Sequence, residues 1–469
     1  MAAGHELREG ITVVTADDAA YLVPPENALK GEGWRTNAAG SAAYIGRSPG
    51  YGLVTLMLRT FLPERCALWA LFVLQVLVFA LAAAVVPEIA GHLGIGRVPA
   101  VVLGYAVALW PGFSGFLSYT LTEGMVPSAV VVYIWLITRA DQGDRRALIG
   151  AGALLGWIIT ARVPMLIWLL PLAVLVYRAV NGADARAGAI AASAALLPFM
   201  VWQIHTARIA GEYAGLHPIY RWDSNDLYRP IHGEIWGLHK MWGQRGDDFH
   251  RDMNVLWLAG EGGITDEAAL RKLAYTRPAR ADRAVDTSEL EAAYLAYIKI
   301  LRKQMPYHRA AAPMPALPSR EEAETALRFR ALKTGYMAAR PVHALIGVPL
   351  RVYFADMSAH SNLSLFMFQK TYRGKWWAEA LRAAGFALHF GTFAGFPLFL
   401  IFAVRRRKLL MLALPVAFYL AWLAFVQRGV EERYTLPVFI PALLTAAAIL
   451  SELARRGGIR LRIPMKFRH

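Results

Sequence analysis

The sequence predicts an all-α, polytopic integral membrane protein: a helical bundle of about nine spans with an extracytoplasmic helical region. Three observations predict it. Of 469 residues, 56% are hydrophobic, and mean hydropathy is +0.36. Only 18% are charged, against about a quarter in soluble domains. Apolar runs recur from residue 66 to residue 453, and the basic residues gather in the short loops between them.

The formal charge of +16 comes from 50 basic and 34 acidic residues. In a soluble chain that excess would suggest nucleic acid. Here it sits where fixing a membrane topology requires it. With no zinc-knuckle, helix-turn-helix or RNA-recognition signature, no nucleic-acid partner is expected. The single cysteine, Cys66, rules out an intrachain disulfide and a cysteine metal site, and reads as a small apolar residue opening a span.

Residues 1–65 read as an extracytoplasmic loop with juxtamembrane helices. The pair Asp17-Asp18 precedes Ala19–Lys30, where it would cap a helix N-terminus. The turn Arg47-Ser48-Pro49-Gly50-Tyr51 follows. Residues 66–206 hold six apolar runs, at 66–87, 98–115, 125–139, 147–161, 164–178 and 187–206. The third to fifth fall short of the roughly 20 residues that cross a bilayer core. Arg162-Val163-Pro164, a charge beside a helix breaker, separates two of them.

Residues 207–379 are the only sizeable polar region. Their composition argues against an independently packed domain. Apolar spacing predicts helices over 284–304 and 320–340, and a helix lying on the membrane face over 341–356. Between them, Pro306, Pro313, Pro315 and Pro318 predict an irregular loop over 305–319. Residues 380–469 add runs at 380–403, 408–426 and 434–453 and a basic tail.

Lysines and arginines near span ends set orientation. With alternating spans, Arg145-Arg146, Arg405-Arg406-Arg407-Lys408 and the tail basics from Arg455 onward share one side, the cytoplasm. Residues 1–65 and 207–379 then lie outside. Residues 1–15 have no apolar core of signal type. A first transmembrane helix is therefore expected ahead of this sequence or on another chain.

Five constellations fall on that outer side: Asp17-Asp18, Arg47 with Pro49-Gly50, Thr122-Glu123, Arg162, and Arg433-Tyr434 in Glu431-Glu432-Arg433-Tyr434-Thr435-Leu436-Pro437. Each alone has a plainer reading as a helix cap, an interfacial carboxylate or an interface belt. Together, carboxylates and arginines on one membrane surface can hold a lipid phosphate and deprotonate a hydroxyl.

At these residues the sequence resembles the GT-C glycosyltransferases, and is most similar to their protein-mannosyltransferase-like branch, which includes the enzymes that put aminoarabinose on lipid A. Asp17-Asp18-Ala19-Ala20-Tyr21 and Leu29-Lys30-Gly31-Glu32-Gly33 match the family's first external loop. Arg47-Ser48-Pro49-Gly50-Tyr51-Gly52 matches its Arg-x-Pro-Gly-Tyr-Pro turn. Thr122-Glu123, Thr160-Ala161-Arg162 and Arg433-Tyr434-Thr435-Leu436-Pro437 match its later motifs in order. The chain departs from the family in lacking span one, in Asp18 where Glu is usual, in Gly52 for Pro, and throughout 207–379.

The resemblance implies transfer of a sugar from a polyprenyl-phosphate donor to a hydroxyl of a lipid, glycan or protein acceptor, with inversion. It implies a bacterial inner (cytoplasmic) membrane protein, surrounded by membrane lipids, with its active site on the periplasmic face. Asp17 would be the base, with Asp18 second and Glu123 positioning acceptor or base. Arg47, Arg162, Arg433 and Tyr434 would hold the phosphate. Tyr21, His217 and Arg221 are candidate sugar or acceptor contacts, with Arg229, His232, His239 and Lys240 behind them. No metal ligand set is assigned: His232, His239 and His250 lack a zinc spacing, and a divalent metal stays open as a cofactor. The rival readings are a lipid-linked-sugar transporter or flippase, a non-catalytic envelope-assembly subunit, and a surface-polysaccharide polymerase or ligase.

Overall fold

The computed structural model describes residues 6–8, 12–14, 19–35, 47–210, 230–309, 319–359, 374–428 and 432–456. Apart from an antiparallel hairpin of β1 (Glu6–Arg8) and β2 (Thr12–Val14), the described residues form helices and their connections. Two short helices come first, α1 (Ala19–Leu29) and α2 (Gly50–Phe61). The bundle follows: α3 (Glu64–His92), α4 (Arg97–Ser118), α5 (Val126–Asp141), α6 (Arg145–Ala161), α7 (Val163–Val180) and α8 (Ala185–Ala210).

After the polar region the bundle closes with α15 (Trp376–Ala394), α16 (Phe396–Ala403), α17 (Arg407–Gln427) and α18 (Arg433–Arg456). Among the described residues, six helices are long and apolar enough to cross a membrane: α3, α4, α7, α8, α17 and α18. A seventh is added if α15 and α16, bent by 48°, count as one. The expected nine is corrected here. The runs at 125–139 and 147–161 fold as α5 and α6, of 16 and 17 residues. At about 1.5 Å per residue these reach roughly 25 Å, less than the ~30 Å hydrocarbon core.

Burial orders the helices from centre to rim. Of α18's apolar window 72% is buried, against 17% for α8, so α18 is an inner helix and α8 an outer one. On α3, Trp69, Val73, Leu77 and Leu81 are exposed at every fourth position, one continuous apolar stripe. Such a stripe is costly in water and fits lipid.

Charged side chains meet at both ends of the bundle. At one end Asp141 meets Arg178 at 2.8 Å and His92 at 3.5 Å. Arg406 there meets Glu452 at 2.6 Å, and Arg455 donates to the Gly94 carbonyl at 2.7 Å. The basic clusters expected to share a side do meet at this end; the tail beyond Arg456 lies outside the described residues. Glu123, Arg162 and Arg433 meet at the other end.

The polar region contains α9 (Pro230–Trp242), α10 (Gly246–Glu261), α11 (Asp266–Thr276), α12 (Thr287–Arg309) and α13 (Arg320–Ala339). Contrary to the compositional expectation, it has a hydrophobic cluster of its own, including Ile235, Trp242, Leu256, Ile298 and Phe329. The apolar residues are spread too thinly along the sequence to show as a domain, and the helices bring them together. A capping box of Ser319 and Glu322 starts α13. Pro306 sits inside α12, which runs on to Arg309, and not in the irregular loop expected from residue 305; residues 310–318 lie outside the described set.

A helix, α14, runs over residues 343–358 where one was expected over 341–356, with π-helical turns at His343–Gly347 and Val352–Ser358. Leu345, Ile346, Leu350 and Phe354 are exposed along it. This helix joins the polar region to the bundle. Arg351 Nη1 donates to the Gly243 carbonyl at 2.6 Å. Arg428, at the end of α17, is buried with φ +54° and donates from Nη1 to the Ala344 carbonyl at 2.8 Å.

Candidate active site

Four segments distant in sequence converge at the end of the bundle opposite the basic clusters. Thr122-Glu123-Gly124 is a 3-10 turn between α4 and α5. Arg162 is the extended residue at which α6 ends and Pro164 prevents its continuation. Arg433-Tyr434 opens α18, and Arg47–Tyr51 leads into α2.

Glu123 is the hub. Its side chain is 5% exposed. Oε1 accepts from Arg162 Nη1 at 2.8 Å and lies 4.0 Å from Arg433 Nε. Oε2 accepts from Thr122 Oγ1 at 3.1 Å. The ring of Tyr434 stands beside both guanidiniums, 5.6 Å from Arg162 Cζ and 5.9 Å from Arg433 Cζ, in reach of cation–π attraction. The Tyr434 carbonyl accepts from Tyr419 of α17 at 2.9 Å.

Burial works against ionising Glu123, but the Arg162 and Arg433 charges outweigh it and hold its carboxyl below the ordinary glutamate value. For Arg162 burial also opposes the charge, and the Glu123 carboxylate bonded to it holds the guanidinium protonated. Glu123 is thus a fixed anion and a weak base. It orients Arg162 and Arg433.

The second half of the site is built by close approach. Gly50 lies against α6 so tightly that a Cβ there would meet Ala161 N at 2.4 Å and the Thr160 carbonyl carbon at 2.4 Å. Only glycine fits. The Gly50 carbonyl accepts from Trp157 Nε1 at 2.9 Å, which fixes the Arg47 turn against the segment that ends in Arg162. Tyr51, fully buried, donates to Gln75 Oε1 at 3.0 Å. Gln75 Nε2 donates to the Leu117 carbonyl at 2.6 Å, and a Cβ on Gly124 would meet Gln75 Oε1 at 2.3 Å. One amide therefore ties the Arg47 turn to the Glu123 turn.

Arg47 Cζ lies 5.7 Å from the ring of Tyr21, which packs edge-on to Tyr51 at 5.5 Å between centroids. Tyr21 is buried here and supports Arg47. Of the residues singled out in the sequence, the structure brings together Glu123, Arg162, Arg433 and Tyr434, and joins Arg47 and Tyr21 to them through Tyr51 and Gln75. Asp17, Asp18, His217, Arg221 and Arg229 lie outside the described residues; Asp17-Asp18 immediately precede α1 in sequence.

The other basic candidates sit elsewhere. His239 is fully buried in the polar region's core, bonded to Tyr294 Oη at 2.7 Å, so it is a packing residue and not a surface contact. His232 stands edge-on to Phe249, and Lys240 lies over the Trp236 ring at 4.7 Å. Among the described residues no three His, Cys, Asp or Glu side chains are grouped to hold a metal ion.

Sequence reasoning missed Gln75, Trp157 and Tyr419. Gln75 had a legible signal: an amide inside the apolar run 66–87, where an unpaired polar group is costly. Trp157 and Tyr419 had none, since aromatic residues are common in such runs. Comparison with protein-family models, characterised proteins and solved structures finds no match to this chain.

Proposed function

We propose that this protein is a membrane glycosyltransferase moving a sugar from a polyprenyl-phosphate donor to a hydroxyl acceptor on the outer face of a bacterial inner membrane. The observation that carries the reading is the convergence of Arg47, Glu123, Arg162 and Arg433 from four segments at one end of the bundle, with Glu123 shared by two guanidiniums. Guanidiniums gathered around a buried carboxylate are groups suited to hold a phosphate leaving group.

In this reading Arg162, Arg433 and Arg47 hold the donor phosphate and stabilise the charge that grows on its bridging oxygen. Glu123 keeps the guanidiniums aimed. Asp17, seconded by Asp18, takes the proton of the acceptor hydroxyl as that oxygen attacks the anomeric carbon. The carbon–oxygen bond to phosphate breaks, the new glycosidic bond forms on the opposite face, and the lipid phosphate departs.

A transporter would favour charge buried mid-span and repeat symmetry; the ion pairs described in the bundle lie at its two ends. The test is donor consumption by the protein in nanodiscs, followed by mass spectrometry with polyprenyl-phosphate sugars. The Asp17→Asn/Asp18→Asn variant runs beside it. Consumption that vanishes in the variant supports the transferase and its base. No consumption of any donor moves the reading to the transporter or the assembly subunit.

A further inference from the structure

Two cations stand together without a counter-charge where the polar region meets the bundle. Arg428 follows α17 and precedes Arg433, at the same end of the bundle as Glu123. It is 6% exposed. Its Nε donates to the Phe425 carbonyl at 2.7 Å, and its Nη1 to the Ala344 carbonyl at 2.8 Å and to Met241 Sδ at 3.3 Å. Met241 belongs to α9, and the neighbouring Lys240 lies over the Trp236 ring at 4.7 Å. Burial, and then the Arg428 charge, push the Lys240 ammonium down to about 8. Among the described residues neither cation is paired with a carboxylate. Elsewhere in the polar region a half-buried lysine is paired: Lys333 meets Glu234 at 2.8 Å.

Like charges withdrawn from water together cost free energy unless a partner offsets it. The carbonyls at helix ends and the indole ring supply only partial charge. Groups perturbed in this way cluster at functional sites. The backbone around them is irregular too. The two carbonyls that Arg428 bonds belong to the π-helical turns His343–Gly347 and Leu423–Gln427, and such turns are frequent at functional sites. Trp236, Lys240 and Met241 are half-buried, so solvent reaches this face. A carboxylate answers one cation. A phosphate monoester carries about −1.5 to −2 at neutral pH and three acceptor oxygens, enough for both.

We propose that Lys240 and Arg428 bind the phosphate of a phosphate monoester, with the Trp236 ring beside it. The site uses none of Arg47, Glu123, Arg162 and Arg433, and the proposal does not rest on the transferase reading. Soluble monoesters and monoester lipid headgroups share this chemistry, and the test separates them.

The test is lysine acetylation of the full chain in phosphatidylcholine nanodiscs at neutral pH, with the rate at each lysine read by peptide mass spectrometry. One arm adds millimolar inorganic phosphate, against chloride of equal ionic strength. The other replaces part of the lipid with phosphatidic acid, against phosphatidylglycerol. A bound phosphate holds the ammonium protonated, so acetylation of Lys240 should slow by about fivefold or more, while the exposed Lys272 is unchanged. Slowing by inorganic phosphate supports the site with a soluble source. Slowing by phosphatidic acid that phosphatidylglycerol does not reproduce supports it with a headgroup source. No slowing of Lys240 beyond that of Lys272 in either arm overturns the proposal. Lys240→Met removes the charge and keeps an unbranched chain. In chloride it should melt above the wild type, and phosphate should raise the melting temperature of the wild type alone. A variant that melts below the wild type in chloride, or gains as much from phosphate, also overturns the proposal. Sugar transfer is not measured, so failure of the enzyme assay cannot be mistaken for failure here.

Discussion

Arg162 Nη1 lies 2.8 Å from Glu123 Oε1, with the two side chains 13% and 5% exposed. The residues are far apart in sequence and sit at the ends of different helices. Withdrawn from water, each charge depends on the other. Removing one partner of a buried pair costs about 3–5 kcal/mol when the survivor is left uncompensated; Arg433, 4.0 Å from Glu123, softens that loss without replacing the 2.8 Å bond. Arg162→Ala should therefore lower thermal stability strongly, and Glu123→Gln/Arg162→Ala should recover much of the loss. If the double variant melts no higher than Arg162→Ala, the charge on Glu123 is not what destabilises the single one. Arg162→Lys should fail to restore the wild-type melting temperature, since a point charge cannot both bond Glu123 and stack on Tyr434.

Gly50 tests the join between the Arg47 turn and the Arg162 segment. A Cβ at 2.4 Å from two backbone atoms cannot be absorbed by a side-chain rotation. Gly50→Ala should push α2 off α6, costing about 1–3 kcal/mol in overpacking, and, on the proposed transferase reading, lose sugar transfer out of proportion to stability. Gly124→Ala meets the movable amide of Gln75 instead and should be the milder of the two. Thermal melts beside donor turnover check both. A Gly50→Ala protein with wild-type turnover would show that the join is not needed for chemistry.

Arg428 allows backbone strain to be separated from bonding. Its φ of +54° is left-handed, which costs an L-residue roughly 1–2 kcal/mol and glycine little. Both Arg428→Ala and Arg428→Gly lose the bonds to the Ala344 and Phe425 carbonyls. Arg428→Ala should then be the less stable by about 1 kcal/mol. Limited proteolysis should show the polar region loosened in both. Equal stability would mean that the turn relaxes once its bonds are gone.

Acid should loosen the polar region before the bundle. Burial is the first cause that lowers His239 to about 3 and His232 to about 4. The unfolded chain binds protons near pH 6.5 while the folded chain does not, so stability is lost as pH falls from about 6.5 towards those values. The slope is at most about 1.4 kcal/mol per pH unit for each histidine. His239→Gln should flatten the dependence of unfolding on pH between about 6 and 4. An unchanged slope would remove His239 as its source.

Much of the fold was legible in the sequence because bilayer-length apolar runs leave the backbone one economical choice, a helix with every amide bonded internally. The helices over 284–304, 320–340 and 341–356 were readable for a related reason: spacing of apolar residues at 3.6 per turn is a local property. The span count was not. Residues 125–139 and 147–161 are apolar runs like the spans, and only their ends, at Met125 and Gln142 for the first and at Asp144 and Arg162 for the second, fix how short those helices are. The polar region's core was likewise hidden, since Ile235, Leu256, Ile298 and Phe329 come from four helices and no single stretch displays it.

For the site, the sequence by itself determined the inventory: which turns carry Arg47, Glu123, Arg162 and Arg433, and that basic loops would gather at one end. Only the tertiary structure decided who meets whom. It made Glu123 an anion shared by Arg162 and Arg433, turned Tyr21 inward beneath Arg47, took His239 into a core, and used Gln75 to tie two turns together. The physical reason is range. Helix formation and capping are set within a few residues, whereas a buried ion pair or a glycine notch is satisfied by an atom more than a hundred residues or a whole helix away, and nothing local in the chain records that distance.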